Sequence, residues 1–544
     1  MFFRRAASWM TLCLVLNAVA CGGDDDGDNP DPADADGGGG SDGGGGGADS
    51  DVTIGGSVSG LEGSGLVLQN NSSDDLTITM NGSFTFAQAV SEGDTYDVTV
   101  LTQPSSPRQL CQVSDGAGST SANDVTNITV NCTRPSAPAD GVVFTGDEGR
   151  EDGGAALWIT GGSAETTVLL AENVTRGPVD FGRDGRAAML NGEQYFVGVD
   201  SNDDAELWKT DGTPEGTTRV ADINPNGSSD PIELAVANGF VFFLAVTEDE
   251  GREPWRSDGT EAGTILLRDI RSGPDGSTNQ FAELFSAGDY VLFEAFNEAS
   301  GSEPWISDGS PDGTEILVDL AEGTGNGGAS DFVIFDGQAY FESGGRLWTT
   351  DGTEENTVAI DGFDRLTGPS FAQQDGELFA LEGAINRAKT LSVFRNGELT
   401  VLDIFNPPPF VNESTDGPVA TAQGLVFAIG ANVWLSDGTE DGSMETSLDL
   451  QSFGRLLSVG DTVLATAGLE AGPYRVPNDD FSAWIELPAG NVNEILLGRI
   501  GDRLLFAAFN RDTGNEIWST DGTVAGTRLV IDLNSGMSDG IVRD

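Results

Sequence analysis

Residues 206–213 read Glu-Leu-Trp-Lys-Thr-Asp-Gly-Thr, and the same eight-residue phrase returns as EPWRSDGT at 253–260, EPWISDGS at 303–310, RLWTTDGT at 346–353, NVWLSDGT at 432–439 and EIWSTDGT at 516–523. A weaker copy centres on Trp158, and degenerate ones fall at Phe394 and Tyr474. These nine aromatic positions step along the chain by about 45 residues, the length of one propeller blade. Each period holds four short runs of strand-forming residues; in the fourth unit they are 282–286, 290–296, 303–307 and 314–320. The Asp-Gly of each phrase is a hairpin signal, because Gly accepts the positive φ such a turn requires, and it is expected to join the third strand to the fourth. Pro254 and Pro304 lack an amide donor and suit a strand's first position or an edge.

A lone four-stranded sheet leaves both faces bare, so the units are expected to stack on one another. The fold expected is all-β: a β-propeller of about nine four-stranded blades over 141–544, with eight blades or an open superhelix as the alternatives. The first unit begins directly on the second-strand pattern at 141–145. Residues 532–542 echo 222–232, which run from one unit into the next. Ile541 and Val542 are therefore expected to pair into the first unit and close the ring, removing exposed edges.

On these phrases the chain resembles the ELWxxDGT repeat family of bacterial secreted proteins, over about residues 141–540. The resemblance implies a β-propeller and carries no common activity or catalytic residue.

Upstream, Arg4 and Arg5 precede an apolar run from Ala6 to Val15 and the small residues before Cys21. This is the layout of an export signal over 1–20, too short in its apolar part to span a bilayer. Ala18-Val19-Ala20-Cys21 resembles a bacterial lipobox, which implies lipidation of Cys21, and Gly22 in place of the Asp associated with inner-membrane retention points by analogy to the outer membrane; a plain signal cut near Ala20 is the alternative. Residues 21–51 follow as a tether: from 22 onward they hold 12 Gly and 10 Asp without a cation or a large apolar side chain, a composition that cannot offset its ordering entropy. Residues 52–135 alternate in seven short runs separated by Gly, Asn, Asp and Ser, as an antiparallel sandwich does. The stretches VSGLEGSGLVLQNN (58–71), NGSFTFAQAV (81–90) and VTVLTQPSSPRQLCQV (98–113) resemble an Ig-like module of bacterial surface proteins, which implies a spacer or stalk. Residues 136–140 read as a linker. Cys111 and Cys132 are the pair left once Cys13 leaves with the signal and Cys21 takes the lipid, and an oxidising compartment favours a disulfide between them.

Composition excludes several activities. Lys+Arg number 26 against 88 Asp+Glu, a formal charge of −62, and there is no histidine. Nucleic-acid binding lacks its basic face, and every histidine-dependent triad, zinc site or proton shuttle is absent. The repeat tryptophans Trp158, Trp208, Trp255, Trp305, Trp348, Trp434 and Trp518 read first as packing residues, with sugar stacking as the alternative. Acidic residues just before the Trp strands are calcium candidates, calcium being the cofactor considered: Asp203, Asp204 and Glu206; Glu248, Asp249, Glu250 and Glu253; Glu298 and Glu303; Asp512 and Glu516. Solvated loops are the plainer reading of these. No catalytic residue is assigned. The function expected is an exported, monomeric envelope lipoprotein, touching the membrane only through its lipid and presenting a propeller for binding or adhesion to a surface protein or polysaccharide. A polysaccharide hydrolase or lyase and a purely structural envelope protein are the alternatives.

Overall fold

The computed structural model describes residues 51–544 apart from 105–107, 148–154, 178–186, 280–281, 361–369, 384–387, 396–397, 406–414, 451–454, 466–474, 479–480, 482, 490, 535–539 and 542–544. The export signal, Cys21, the tether up to Ser50, Tyr474 and Val542 lie outside the described residues. Among those described, the structure is all-β, with many small sheets and a single short 3-10 turn at Ala164–Thr166. No helix among them is long and apolar enough to cross a membrane.

Residues 51–133 form two four-stranded sheets and a two-stranded one, Asp51–Val52 with Val90–Ser91, around one apolar core in which Ile54, Leu66, Leu68, Ile128 and Val130 are fully buried. Along Val125–Thr133, alternation from Ile128 onward buries Ile128, Val130 and Cys132, the period-two signature of a half-buried strand. Contrary to the antiparallel expectation, this last strand lies parallel to Ile54–Ser59, the intervening strands supplying the crossover that a parallel pair needs. Cys111 and Cys132 face each other across Leu110–Ser114 and Val125–Thr133 and are joined by a disulfide.

From residue 142 onward, nine sheets follow in chain order. The fourth is representative: Leu284–Ser286, Val291–Asn297, Gly301–Ser307 and Thr314–Ile316, each strand antiparallel to the next. Two sheets depart from four strands. The first has three, Val142–Gly146, Ala156–Thr160 and Thr167–Ala171. In the second, the first strand is split into Val174–Arg176 and Ala187–Leu190, both pairing with Glu193–Asp200.

One cross-strand pair recurs at the centre of seven sheets. A phenylalanine of the second strand stands directly opposite the repeat tryptophan of the third: Phe144 and Trp158, Phe196 and Trp208, Phe243 and Trp255, Phe293 and Trp305, Phe341 and Trp348, Phe427 and Trp434, Phe506 and Trp518. Aromatic pairs of this kind are a unit of sheet stabilisation. All seven phenylalanines are fully buried. In the sixth sheet the pattern is displaced. Counted from the left-handed turn glycines Gly337 and Gly376, Ala380 takes the place of Phe341 and faces Ser392, so Phe394 lies two residues beyond the tryptophan position, on the same strand face. There it packs edge-on against Tyr340 of the fifth sheet.

Each sheet buries its faces against its neighbours. Apolar clusters join the first sheet to the second (Val143, Leu157, Phe196), the second to the third (Tyr195, Leu207, Phe243), and so on along the series. A further cluster joins the ninth back to the first, uniting Leu505, Ala507 and Ile517 with Val142, Phe144 and Trp158. Ile541 lies in this cluster, bridges to Gly146, and is held by Asn515, whose carbonyl accepts from the Gly540 and Ile541 amides at 3.1 and 3.0 Å. Beside it, buried Arg176 donates through Nη1 to the carbonyls of Val143 (2.7 Å) and Leu497 (3.4 Å), tying the second sheet to both the first and the ninth. The stretch read as a linker is packed: Ala137 belongs to the cluster between the first two sheets, and its carbonyl lies against Gly212.

Candidate functional site

The repeated phrase builds two local devices. The first is its turn. In the second sheet, Asp211 accepts through Oδ1 from the Thr213 amide (2.9 Å) and hydroxyl (2.6 Å). Thr210 Oγ1 accepts from the Gly212 amide at 3.0 Å and lies 2.8 Å from Thr217 Oγ1. Gly212 has φ +90°, which a side chain would strain. The same turn recurs at Asp258, Asp308, Asp351 and Asp521, and in abbreviated form at Asp437. Between third and fourth strands the hairpin runs as the Asp-Gly signal implies. The hydroxyl pair that closes it, residues two and nine beyond the tryptophan, is a part the sequence reading missed, although the Gly-Thr spacing repeats. Bonds from threonine hydroxyls and amides, or from those of Ser310 at Asp308, hold these carboxyls below the usual aspartate range.

The second device is a loop clamp. Glu206, Glu253, Glu303 and Glu516, two residues before their tryptophans, are completely buried. Each reaches the segment that leaves its own sheet for the next. Glu206 accepts from the Ile223 amide (3.1 Å), the Asn224 amide (3.3 Å) and the Ser229 hydroxyl (2.6 Å). Glu253 accepts from the Arg271 amide (3.1 Å) and the Ser277 hydroxyl (2.5 Å). Glu303 accepts from Leu320 (2.8 Å) and Gly327 (2.9 Å), and Glu516 from Leu533 (3.0 Å). Loop amides that would otherwise be buried without partners are thereby satisfied. Burial raises all four carboxyls, Glu253 to about 7 and Glu516 to about 8, against the lowering effect of these hydrogen bonds.

The calcium candidates therefore divide. The four glutamates just described are interior and bonded to the chain. Asp203, Glu248, Asp249, Glu298 and Asp512 lie at the surface. Glu298 pairs with Arg271 at 2.9 Å, Glu248 accepts from Asn226 Nδ2 at 3.0 Å, and Glu250 accepts from the Thr247 hydroxyl. Two of the candidates, Asp204 and Glu206, are brought together with Asp222, which the sequence reading did not name; their oxygens lie within 4.8 Å of one another. Arg219 lies on this group, 3.0 Å from Asp204 and 3.3 Å from Asp222. The remaining candidates, in this repeat and three others, are not gathered into one site.

The repeat tryptophans sit in the interfaces between sheets. Trp208, Trp255, Trp305, Trp348, Trp434 and Trp518 each pack against the sheet before their own, and Trp158 against the ninth. Two of them carry an arginine on the ring. Arg268 of the third sheet lies 5.5 Å from the centre of Trp305, and Arg108 of the sandwich lies 5.5 Å from that of Trp158.

No family model matches the sequence, and no curated protein does. Among solved structures the chain is similar to a Mycobacterium tuberculosis puromycin-hydrolyzing peptidase, at 13% identity and TM-score 0.34 over 55% of this chain and 52% of that one. It is also similar to a dihydro-heme d1 dehydrogenase (14%, TM-score 0.40, 67% and 79%) and to a eukaryotic initiation factor (13%, TM-score 0.38, 58% and 79%). The chain spans about half the length of the peptidase. Likeness at this level leaves fold and activity to be argued from the chain itself.

Proposed function

We propose that this chain is an exported bacterial envelope lipoprotein, anchored through Cys21, that carries an Ig-like module and a nine-bladed β-propeller of the ELWxxDGT type as a scaffold for binding a protein or polysaccharide. The observation that carries the reading is the cluster in which Phe144 and Trp158 of the first sheet share a core with Leu505 and Ile517 of the ninth. Nine sheets that each pack on two neighbours, with the last returning to the first, support a closed ring, and a closed ring has no open edge sheets to protect. The first strands support it as well. That of the third sheet lies beside those of the second and fourth, and that of the ninth beside Val142–Gly146, as strands lining a common axis would. A rigid ring gathers its connecting loops on two faces, where loop side chains are free to recognise a partner. The repeat's own interior carboxylates hold loops in place, which favours a scaffold over carboxylate chemistry. The disulfide suits an oxidising, exported setting.

The test is an array of envelope proteins and surface polysaccharides probed with the full chain, with and without calcium. The expected result is saturable binding in which the ligand is recovered intact. A polysaccharide shortened with turnover would replace the scaffold with the hydrolase or lyase. Substitution Cys21→Ser is expected to move the protein from the membrane fraction to the soluble one.

A further inference from the structure

The two arginine-covered tryptophans share a geometry. Arg268 lies over Trp305 and donates through Nη1 at 2.8 Å to the carbonyl of Thr314, nine residues after that tryptophan. Arg108 lies over Trp158 and donates through Nη1 at 3.0 Å to the carbonyl of Thr167, again nine residues after the tryptophan. One guanidinium comes from the neighbouring repeat and the other from the sandwich, yet both meet the same receptor: an indole face with a backbone carbonyl beside it. Trp158 and Trp305 are accordingly the two most buried of the seven, at 0% and 3% exposure.

The receptor recurs without its arginine. Arg268 stands thirteen residues after Trp255, on the segment leaving the third sheet. The equivalent residues before Trp208 and Trp255 are Ala171 and Ala221. Each alanine shares an interface cluster with the tryptophan it precedes. Trp208 and Trp255 are only half-buried, and among the described residues no cation lies over either ring. The matching carbonyls belong to Thr217 and Thr264. Each is next to a turn glycine, Gly216 or Gly263, that packs against the carboxylate of Asp211 or Asp258. As at Trp305 and Trp158, an indole face with a carbonyl beside it suits a planar, multiply donating cation, which is arginine rather than lysine.

We propose that the Trp208 and Trp255 notches bind arginine side chains of an extended cationic polypeptide, one guanidinium to each notch. This rests on the scaffold reading and names its partner class. The net charge of −62 draws such a partner in, and the notches supply the preference for arginine over any other positive charge.

The test uses the full chain, a peptide alternating Arg and Ser, and its Lys-for-Arg counterpart, compared by calorimetry at physiological ionic strength. The arginine peptide is expected to bind about tenfold more tightly than the lysine peptide. Ala171→Arg with Ala221→Arg, which supplies in cis what Arg268 gives to Trp305, is expected to remain folded and to abolish that preference. Should this variant fail to fold, W208F with W255F keeps an aromatic plug in each interface and is expected to reduce the preference. Equal binding of the two peptides, no binding of either, or an undiminished preference in a folded variant overturns the proposal. In those cases a ligand that the array finds for the same protein would leave the scaffold reading standing, whereas an array without ligands would remove both.

Discussion

The fourth and sixth sheets carry the same four antiparallel strands but reach them by different chemistry. The fourth has the full phrase: Glu303 clamps the outgoing loop, Phe293 faces Trp305, and the turn at Asp308 leads into a fourth strand of three residues, Thr314–Ile316. The sixth has none of these. Arg395 pairs with Glu398 across only two residues, Asn396 and Gly397, and the fourth strand runs eight residues, Glu398–Phe405, with Leu402 bulged inward to a buried position. Yet Leu381, Leu391 and Val393 are as fully buried as their counterparts elsewhere. The difference teaches that the phrase governs turns and loops, while the sheets are held together by apolar faces that need no phrase.

The sharpest way to break this comparison is at the sheet centres. Phe293→Ala removes a fully buried ring between two sheets and is expected to cost about 3–5 kcal/mol by chemical denaturation. At the displaced centre of the sixth sheet, Ser392 is buried with its hydroxyl unbonded. Ser392→Ala is expected to be neutral or slightly stabilising, because no bond is lost and a desolvated polar atom is removed. A large loss at Ser392 would mean that the sixth sheet has a polar centre of its own. Next in size is the clamp. Glu303→Ala strands the Leu320 and Gly327 amides and is expected to cost about 2–3 kcal/mol, since leaving buried donors unsatisfied costs more than a mean hydrogen bond is worth.

The fold was legible where chemistry repeats, and the clamp was not. Period, strand runs and the Asp-Gly turn all come from residues whose local preferences agree with their place in the sheet. Strands 290–296 and 303–307 of the fourth unit are observed at Val291–Asn297 and Gly301–Ser307. Glutamate two residues before tryptophan reads as a solvated acid, because its burial depends on a loop some twenty residues downstream folding back over it. Ser229 and Ser277, the hydroxyls that meet Glu206 and Glu253, were the available signal: both fall 23 or 24 residues after the glutamate. The displacement at Phe394 was hidden for another reason, since an aromatic two residues along faces the same way and buries as much. Arg108 could not be foreseen at all, because its partner lies in another fold unit.

The clamp also predicts a pH dependence that the sixth sheet does not share. Glu253 and Glu516 have folded values of about 7 and 8, above the ordinary 4.5. The folded state therefore holds more protons on these two groups between those values, so their contribution to stability is fully present below about 4.5 and is lost as pH rises through 7 and 8. Thermal midpoints are expected to fall by several degrees from pH 5 to pH 8. Mutual repulsion of surface carboxylates would act in the same direction, but salt relieves it. The clamp's share should survive salt and flatten in Glu253→Gln with Glu516→Gln. An unchanged slope in that variant would assign the whole decline to surface charge.

The smallest loss belongs to the turn. Asp308 accepts the Ser310 amide at 2.8 Å and hydroxyl at 2.7 Å near solvent, so Asp308→Ala is expected to cost only about 1 kcal/mol. Asp308→Asn keeps an acceptor oxygen in the same place and should recover most of that. The bonds that lower the aspartate's pKa stabilise the fold above the ordinary value of 3.8 and lose that effect as pH falls through the lowered one. The asparagine variant should therefore match the native chain at pH 5 and resist acid better below pH 3. If the alanine variant is as stable as the asparagine one, the turn is held by its glycine and its hydroxyl pair alone, and the aspartate of the repeated phrase serves the surface that it faces.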